Sequence, residues 1–354
     1  MPTTFQVDKT DLHATRSVTT ESEPLDPGQV RFRIESFALT ANNVTYASAG
    51  SFLGYWDFYP ATDPWGQIPA MGHAQLVEST LEGLAAGGRY FGFFPMSDEV
   101  VIEAEVNRGG IWAAGPHRAQ HAPAYRQFTD LAGDPSHDPA REDQVALLRG
   151  LFMTSFLAED MLDDADNHCA EATVITSASA KTSIALAWCV RDRGTRAIGL
   201  TSAPNRDFVV GLGCYDQVAT YDDIESLDGS TSAVVVDMAG DRAVLGRVHE
   251  HYGASLAFSL SVGATHHDAE RSTDPLPGPA PEFFFAPGQI EKRNADWGPG
   301  QVMARMGTQW ARFVAFTDDW LQIVRVDGPD AIAAAYDDVL NGRRSPADGL
   351  ICSL

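Results

Sequence analysis

The stretch 172–184, ATVITSASAKTSI, constrains the fold of this chain more than any other. Thr173 to Thr176 read as a buried strand of a parallel sheet, because such strands are covered on both faces and lose polar alternation. Ser177 to Ala180 make a tight turn of small side chains. From Thr182 through Ile184, Ala185, Leu186, Ala187 and Trp188 the chain reads as a helix with little polarity, so both of its faces are expected to be covered. A strand, a tight turn and a helix N-terminus together make a cradle for phosphate. The first-turn N–H groups have no intrahelical acceptors, and the helix dipole favours an anion there. Lys181 adds a cation, and Ser179, Thr182 and Ser183 add hydroxyl donors around Ala180. The expected ligand is a dinucleotide pyrophosphate. The turn has no glycine, so G-x-G-x-x-G is absent, and alanine and serine stand as the next smallest choices. The competing reading is a turn whose hydroxyls only cap the helix.

The flanking pattern supports a Rossmann-type, doubly wound parallel sheet. Strands are expected at 172–177, 196–201, 217–220, 232–237 and 254–260, with helices at 182–193, 204–212 and 240–251 between them. Right-handed crossovers would place the ligand crevice at the strand C-terminal ends. Upstream, residues 4–20 suggest a hairpin, and 27–39 alternate with Val30, Phe32 and Ile34 on one side. Segments 69–79 and 87–96 read as further strands, with Gly87-Gly88 as the turn. Residues 107–140 lose periodicity and read as a boundary with short helices; 141–162 read as a bridging helix. Downstream come a Pro-rich loop (268–281), a last sheet strand at 283–287 and one long helix at about 297–318. A strand from Leu321 to Val326, a helix opened by Pro329 and a strand from Gly349 to Ser353 close the chain. The expected division is 151–289 for the dinucleotide domain, with 1–150 and 290–354 forming the other.

Composition narrows the partners. The 48 acidic and 25 basic residues give a net charge of −23, which argues against binding nucleic-acid phosphates. No apolar run approaches a membrane span. The N-terminus lacks the apolar core of a secretory signal. The four cysteines, Cys169, Cys189, Cys214 and Cys352, show no C-x-x-C and read as reduced thiols of a cytoplasmic protein.

Several segments resemble the medium-chain dehydrogenase/reductase superfamily, on its zinc-free quinone-oxidoreductase and enoyl-reductase side. VRFRIESFALTANNVTYASAG resembles the second catalytic-domain strand and its loop, and PAMGHAQLVES the next strand. LFMTSFLAEDML resembles the helix before the nucleotide-binding domain. The run from ATVITSASAKTSI to VATYDDI resembles that domain's first two βα units. The Ser-Ala-Ser-x-Lys-Thr turn marks an uncharacterised branch. The resemblance implies a GroES-like twisted β-barrel domain, split in sequence, around the Rossmann domain, and a homodimer. Zinc-dependent members carry Gly-His-Glu where this chain has Gly72-His73-Ala74, and neither a cysteine near 41 nor a four-cysteine lobe is present. No metal is expected.

The second strand of the dinucleotide domain ends at Thr201-Ser202, with Arg206 beyond and no carboxylate before Asp207. An acid there would select NAD by bonding the ribose 2′-OH, so its absence favours NADP. Ser202 and Asn205 could alternatively serve only as helix caps. Met238 and Thr265 follow the fourth and fifth strands, on the edge that the resemblance assigns to cofactor. His266 is a candidate general acid or an ordinary loop histidine. His249 and His251 read as surface residues.

By resemblance, Thr40, Asn43 and Tyr46 position nicotinamide and substrate. Tyr46 is the first candidate proton donor and Tyr55 the second, with packing as the alternative for each. Aromatics from Phe52 through Trp56 to Trp65 line a substrate wall or form a satellite core. His117, Arg118 and Tyr125 are expected to reach the cleft from the boundary region, with Arg118 a candidate for a substrate carboxylate. The expected activity is zinc-free, NADPH-dependent reduction of a small apolar carbonyl, quinone or activated alkene. The rivals are a non-redox binding protein that keeps the fold, or a lyase.

Overall fold

The computed structural model describes residues 1–262, 275–284 and 286–354. The chain forms two compact units, Met1–Leu147 with Leu321–Leu354, and Leu148–Trp320. Residues 290–320, placed with the first domain on sequence grounds, group with the second.

The first unit begins with an antiparallel hairpin, β1 (Thr3–Asp8) and β2 (Thr15–Thr19). There follow β3 (Gln29–Leu39), the helix Ala41–Ser48, β4 (Trp65–Gly66), β5 (Pro69–Ser79) and β6 (Arg89–Pro95). Then come β7 (Glu99–Asn107), β8 (Gly110–Ala113) and β9 (Gln127–Asp130). The helix Glu142–Asp164 leads into the second unit. That unit contains β10 (Ala172–Ile175), β11 (Arg196–Thr201), β12 (Gln217–Thr220), β13 (Ala233–Asp237), β14 (Leu256–Ser261) and β15 (Glu282–Phe283). Its helices include Lys181–Asp192, Arg206–Gly211 and Arg242–Tyr252. The chain returns to the first unit with β16 (Gln322–Asp327), the helix Pro329–Leu340 and β17 (Asp348–Ser353).

Strand β3 organises the barrel. One edge pairs with β5 along most of its length, with two register shifts. The other edge is shared: Gln29–Arg33 pair with β7, and Phe37–Leu39 with β17. The ring β3-β5-β6-β9-β8-β7 therefore closes on itself and leaves no free edge among these strands. Alternation in β3 sends Phe32 inward, where its ring lies 5.4 Å from Tyr90, 5.5 Å from Phe94 and 5.4 Å from Phe128. Aromatic pairs at such spacings combine a large buried area with favourable edge and offset contacts.

The second unit is a six-stranded parallel sheet in the order β12-β11-β10-β13-β14-β15. Numbered from β10, that order is 3-2-1-4-5-6, the doubly wound arrangement of dinucleotide-binding domains. The central strands are apolar on both faces, with Val174, Leu200 and Val235 wholly buried.

Four sequence expectations need correction. Residues 107–140 include β8 and β9, strands of four residues that barrel pairing creates and local periodicity cannot announce. The expected long helix is two, Ala286–Trp297 and Gln301–Thr317. The break falls at Gly298-Pro299-Gly300, where both glycines take positive φ of 94° and 79°. The strand expected at 283–287 is only Glu282–Phe283. His249, read as a surface residue, is wholly buried between Ser259 Oγ at 2.9 Å and the Pro277 carbonyl at 2.8 Å. Burial pushes its imidazole below the usual range.

Candidate functional site

In the second unit, β10 lies between β11 and β13, so successive crossovers leave it in opposite directions. The crevice this opens at the strand C-terminal ends is the standard ligand position of an open parallel sheet. The turn 176–180 sits there, between β10 and the helix Lys181–Asp192. Its reversal comes from Ser177 at φ 52°, a left-handed conformation in which a non-glycine residue costs about 1–2 kcal/mol. The Ala180 N–H closes the turn on the Ser177 carbonyl at 2.7 Å.

Other loops hold this turn in place. The Ser177 N–H donates to the Tyr221 hydroxyl (3.1 Å), and the Tyr215 hydroxyl donates to the Ala178 carbonyl (2.9 Å). Asn205 Nδ2 donates to Ser179 Oγ at 3.1 Å. Below the turn, buried Thr176 donates its hydroxyl to Asp237 Oδ1 at 2.6 Å. The Thr176 hydroxyl oxygen in turn accepts the N–H groups of Met238 (2.9 Å) and Ala239 (3.1 Å). Burial raises the Asp237 carboxyl above its ordinary pKa, against the Thr176 hydrogen bond. Sequence reading missed Thr176, Asn205, Tyr215, Tyr221 and Asp237 as parts of this turn, because each comes from a different strand end.

The expected cofactor residues divide by access. Ser179, Ala180, Lys181 and Thr182 are half-buried at the turn, Ser202 is half-buried and Arg206 is exposed. Ser183 is wholly buried and its hydroxyl donates to the Thr176 carbonyl at 2.9 Å, so it is not open to a phosphate. Thr201 is 1% exposed and Met238 is 2% exposed, which corrects both as side-chain contacts for a ligand. Neither Ser202 nor Asn205 makes a side-chain cap bond, so the alternative capping reading fails. Thr265 and His266 lie outside the described residues.

In the first unit, Tyr46 and Tyr55 stack with centroids 4.4 Å apart, and Tyr125 lies edge-on to Tyr55 at 6.1 Å. Asn42 Nδ2 donates to the Tyr46 hydroxyl at 2.5 Å. Burial, and after it the neighbouring Tyr125, holds both phenols above the ordinary tyrosine range. They stay protonated at working pH and can serve as acids rather than bases. Tyr125, expected from the sequence to reach the cleft with His117 and Arg118, packs against Tyr55 and Phe93.

The other first-unit candidates are Thr40, Asn43, Phe52, Trp56 and Arg118. Thr40 and Asn43 start the helix Ala41–Ser48: Asn43 Oδ1 accepts the Thr40 N–H at 2.7 Å, and Nδ2 donates to the Pro69 carbonyl at 3.0 Å. Phe52 is 89% exposed and lines no wall, whereas Trp56 is buried in the barrel-side core with Phe58 and Tyr59. A Cβ on Gly50 or Gly66 would come within 2.3 or 2.4 Å of the Trp56 ring, so the indole is wedged between two backbones. Arg118 is buried, with Nη2 on the Phe58 carbonyl at 2.8 Å and the guanidinium 4.4 Å above the Tyr59 ring.

Among the described residues no group of three or more His, Cys, Asp or Glu could hold a metal ion. No helix of the described residues is long and apolar enough to cross a membrane. All four cysteines are free thiols, and only Cys169 is exposed.

No curated protein matches the sequence. CurA from Vibrio vulnificus, solved in complex with NADPH, is similar over 99% of this chain and 98% of its own, at 13% identity and TM-score 0.63. The yhdH oxidoreductase from Salmonella enterica, in complex with NADP, is similar over 99% of both chains, at 14% identity and TM-score 0.58. A mutant enoyl thioester reductase from Candida tropicalis matches over 100% of this chain and 99% of its own, at 10% identity and TM-score 0.58. These likenesses show a shared fold, a GroES-like barrel with a Rossmann domain. The family described as "Protein of unknown function (DUF2855)" matches residues 37–345, most of the chain, and this protein belongs to that family.

Proposed function

We propose that this protein is a zinc-free, NADPH-dependent reductase. The observation that carries the reading is the turn 176–180, set at the switch point of a 3-2-1-4-5-6 parallel sheet and running into the N-terminus of the helix Lys181–Asp192. The first N–H groups of that helix lack intrahelical acceptors and suit a pyrophosphate. The residues fit the group at backbone level: the left-handed Ser177 makes the reversal that a glycine makes in the usual fingerprint. Beyond β11 no carboxylate intervenes before Asp207, and half-buried Ser202 and exposed Arg206 suit a ribose 2′-phosphate. The structures of similar fold solved with NADPH or NADP support the same choice.

When bound, the nicotinamide supplies hydride, here to a small apolar carbonyl, quinone or activated alkene. The chain's own part is to hold the pyrophosphate at the turn and to keep a proton on a phenol. Tyr46 is the assigned acid, with Asn42 orienting its oxygen and Tyr55 stacked against it. Calorimetric titration with NADPH and NADH tests the reading. Micromolar NADPH binding, weaker NADH binding and weaker binding by Lys181→Ala are expected. Absence of heat and of thermal stabilisation with both dinucleotides overturns it.

A further inference from the structure

The first unit holds a cavity of about 560 Å³ whose lining includes none of Tyr46, Tyr55 and Tyr125. Its size falls in the range of small-molecule sites. Arg118 and Tyr59 line it together with Pro60, Glu23, Glu103 and Arg31. The two arginines differ in their partners. Arg31 is fully engaged, bonded to the Glu78 and Glu99 carboxylates and the Glu23 carbonyl. Arg118 is 2% exposed and has no carboxylate partner among the described residues. Its Nη2 is taken by the Phe58 carbonyl at 2.8 Å and its Nε faces His117 Nε2 at 3.2 Å. Its Nη1 is buried with no hydrogen-bond partner among the described residues. A buried guanidinium with one nitrogen unbonded and no counter-charge is costly, and an anion brought to that nitrogen recovers part of the cost.

The rest of the lining carries the opposite sign. Glu23 and Glu103 are exposed, as are Glu21 and Asp26, which also line the cavity. With the net charge of −23, these carboxylates repel a simple anion. A ligand with a carboxylate at one end and an ammonium group at the other meets both demands. We propose that this cavity is a binding site for a small zwitterion of the amino-acid type, its carboxylate on Arg118 and its ammonium group among the exposed acids. The Tyr59 ring and Pro60 would pack on the aliphatic spacer. The proposal does not rest on the reductase reading.

The test uses the full chain and 5-aminopentanoate as the probe, with pentanoate and pentylamine as one-ended controls, in calorimetry and thermal unfolding. The zwitterion should bind at least about tenfold more tightly than either control, since each control lacks one charged contact. Arg118→Lys should weaken the zwitterion by about tenfold, because a lysine ammonium cannot keep the Phe58 carbonyl and reach the ligand carboxylate at once. The double variant Glu23→Gln, Glu103→Gln changes only exposed groups, so it should fold even where Arg118→Lys does not. It should abolish the preference for the zwitterion over pentanoate. Equal binding of pentanoate and the zwitterion overturns the proposal, as does absence of binding by the zwitterion. Retention of the full preference in the double variant also overturns it.

Discussion

His73 gives a quantitative test of how the barrel treats a buried titratable group. It lies in β5 and is 2% exposed, with its ring 5.2 Å from Phe91. Burial pushes the imidazole down to about 4. Glu142 and Glu35 act against that shift, and Arg89 and His137 act with it. In the unfolded chain the same group titrates near its ordinary value of about 6.5. A depressed folded-state value means that the unfolded chain binds the extra proton first. The neutral imidazole therefore contributes stability above pH 6.5 that is lost as pH falls toward 4. Between pH 7.5 and 4.5 the loss amounts to about 2.5 kcal/mol. The perturbation is His73→Phe, which keeps a ring against Phe91 and removes the proton site. Urea unfolding of both proteins at the two pH values isolates the effect, because the carboxylates common to both cancel in the difference. The wild type should lose about 2.5 kcal/mol more than the variant over this interval. Equal losses would refute the claim that the barrel holds this imidazole neutral.

Other expectations follow from the turn and the two cores. Thr176→Val removes a donor from buried Asp237 and an acceptor from two N–H groups; it should cost about 2–3 kcal/mol in urea unfolding and weaken NADPH in calorimetry. Ser177→Gly relieves the left-handed backbone and should stabilise by about 1 kcal/mol, read as a higher urea midpoint at unchanged slope. Phe128→Ala empties the site packed by Phe32 and Phe94 and should cost about 3–5 kcal/mol. With an accepted substrate in hand, Tyr46→Phe should lower kcat by about a hundredfold or more while the NADPH dissociation constant stays put.

The Rossmann unit was legible because a parallel sheet writes itself into local sequence. The strands 196–201 and 217–220 fall where they were expected, and the helix Lys181–Asp192 buries Ser183 through Ala187 as its low polarity suggested. The barrel was legible where strands are long, as in Gln29–Leu39 and Pro69–Ser79, since eleven residues give alternation room to show. It was illegible at Gly110–Ala113 and Gln127–Asp130, four-residue strands whose conformation is decided by the partners they meet.

Site residues divide along the same line. The turn 176–180 was found because its elements are contiguous. The residues that hold it, Tyr221, Tyr215, Asn205 and Asp237, lie 26 to 61 positions from their partners in the chain. Residue type and local pattern were enough to specify a strand, a small-residue turn and a helix, and so the place where a ligand would sit. Which hydroxyls remain available there depended on burial, which closes Ser183 and Thr201 while leaving Ser179 and Thr182 partly open. The same holds for Arg118, whose sequence context is that of a surface loop. Only the packing of Phe58 and Tyr59 against it turns the guanidinium into a buried charge, because desolvation is a property of surroundings assembled from distant parts of the chain.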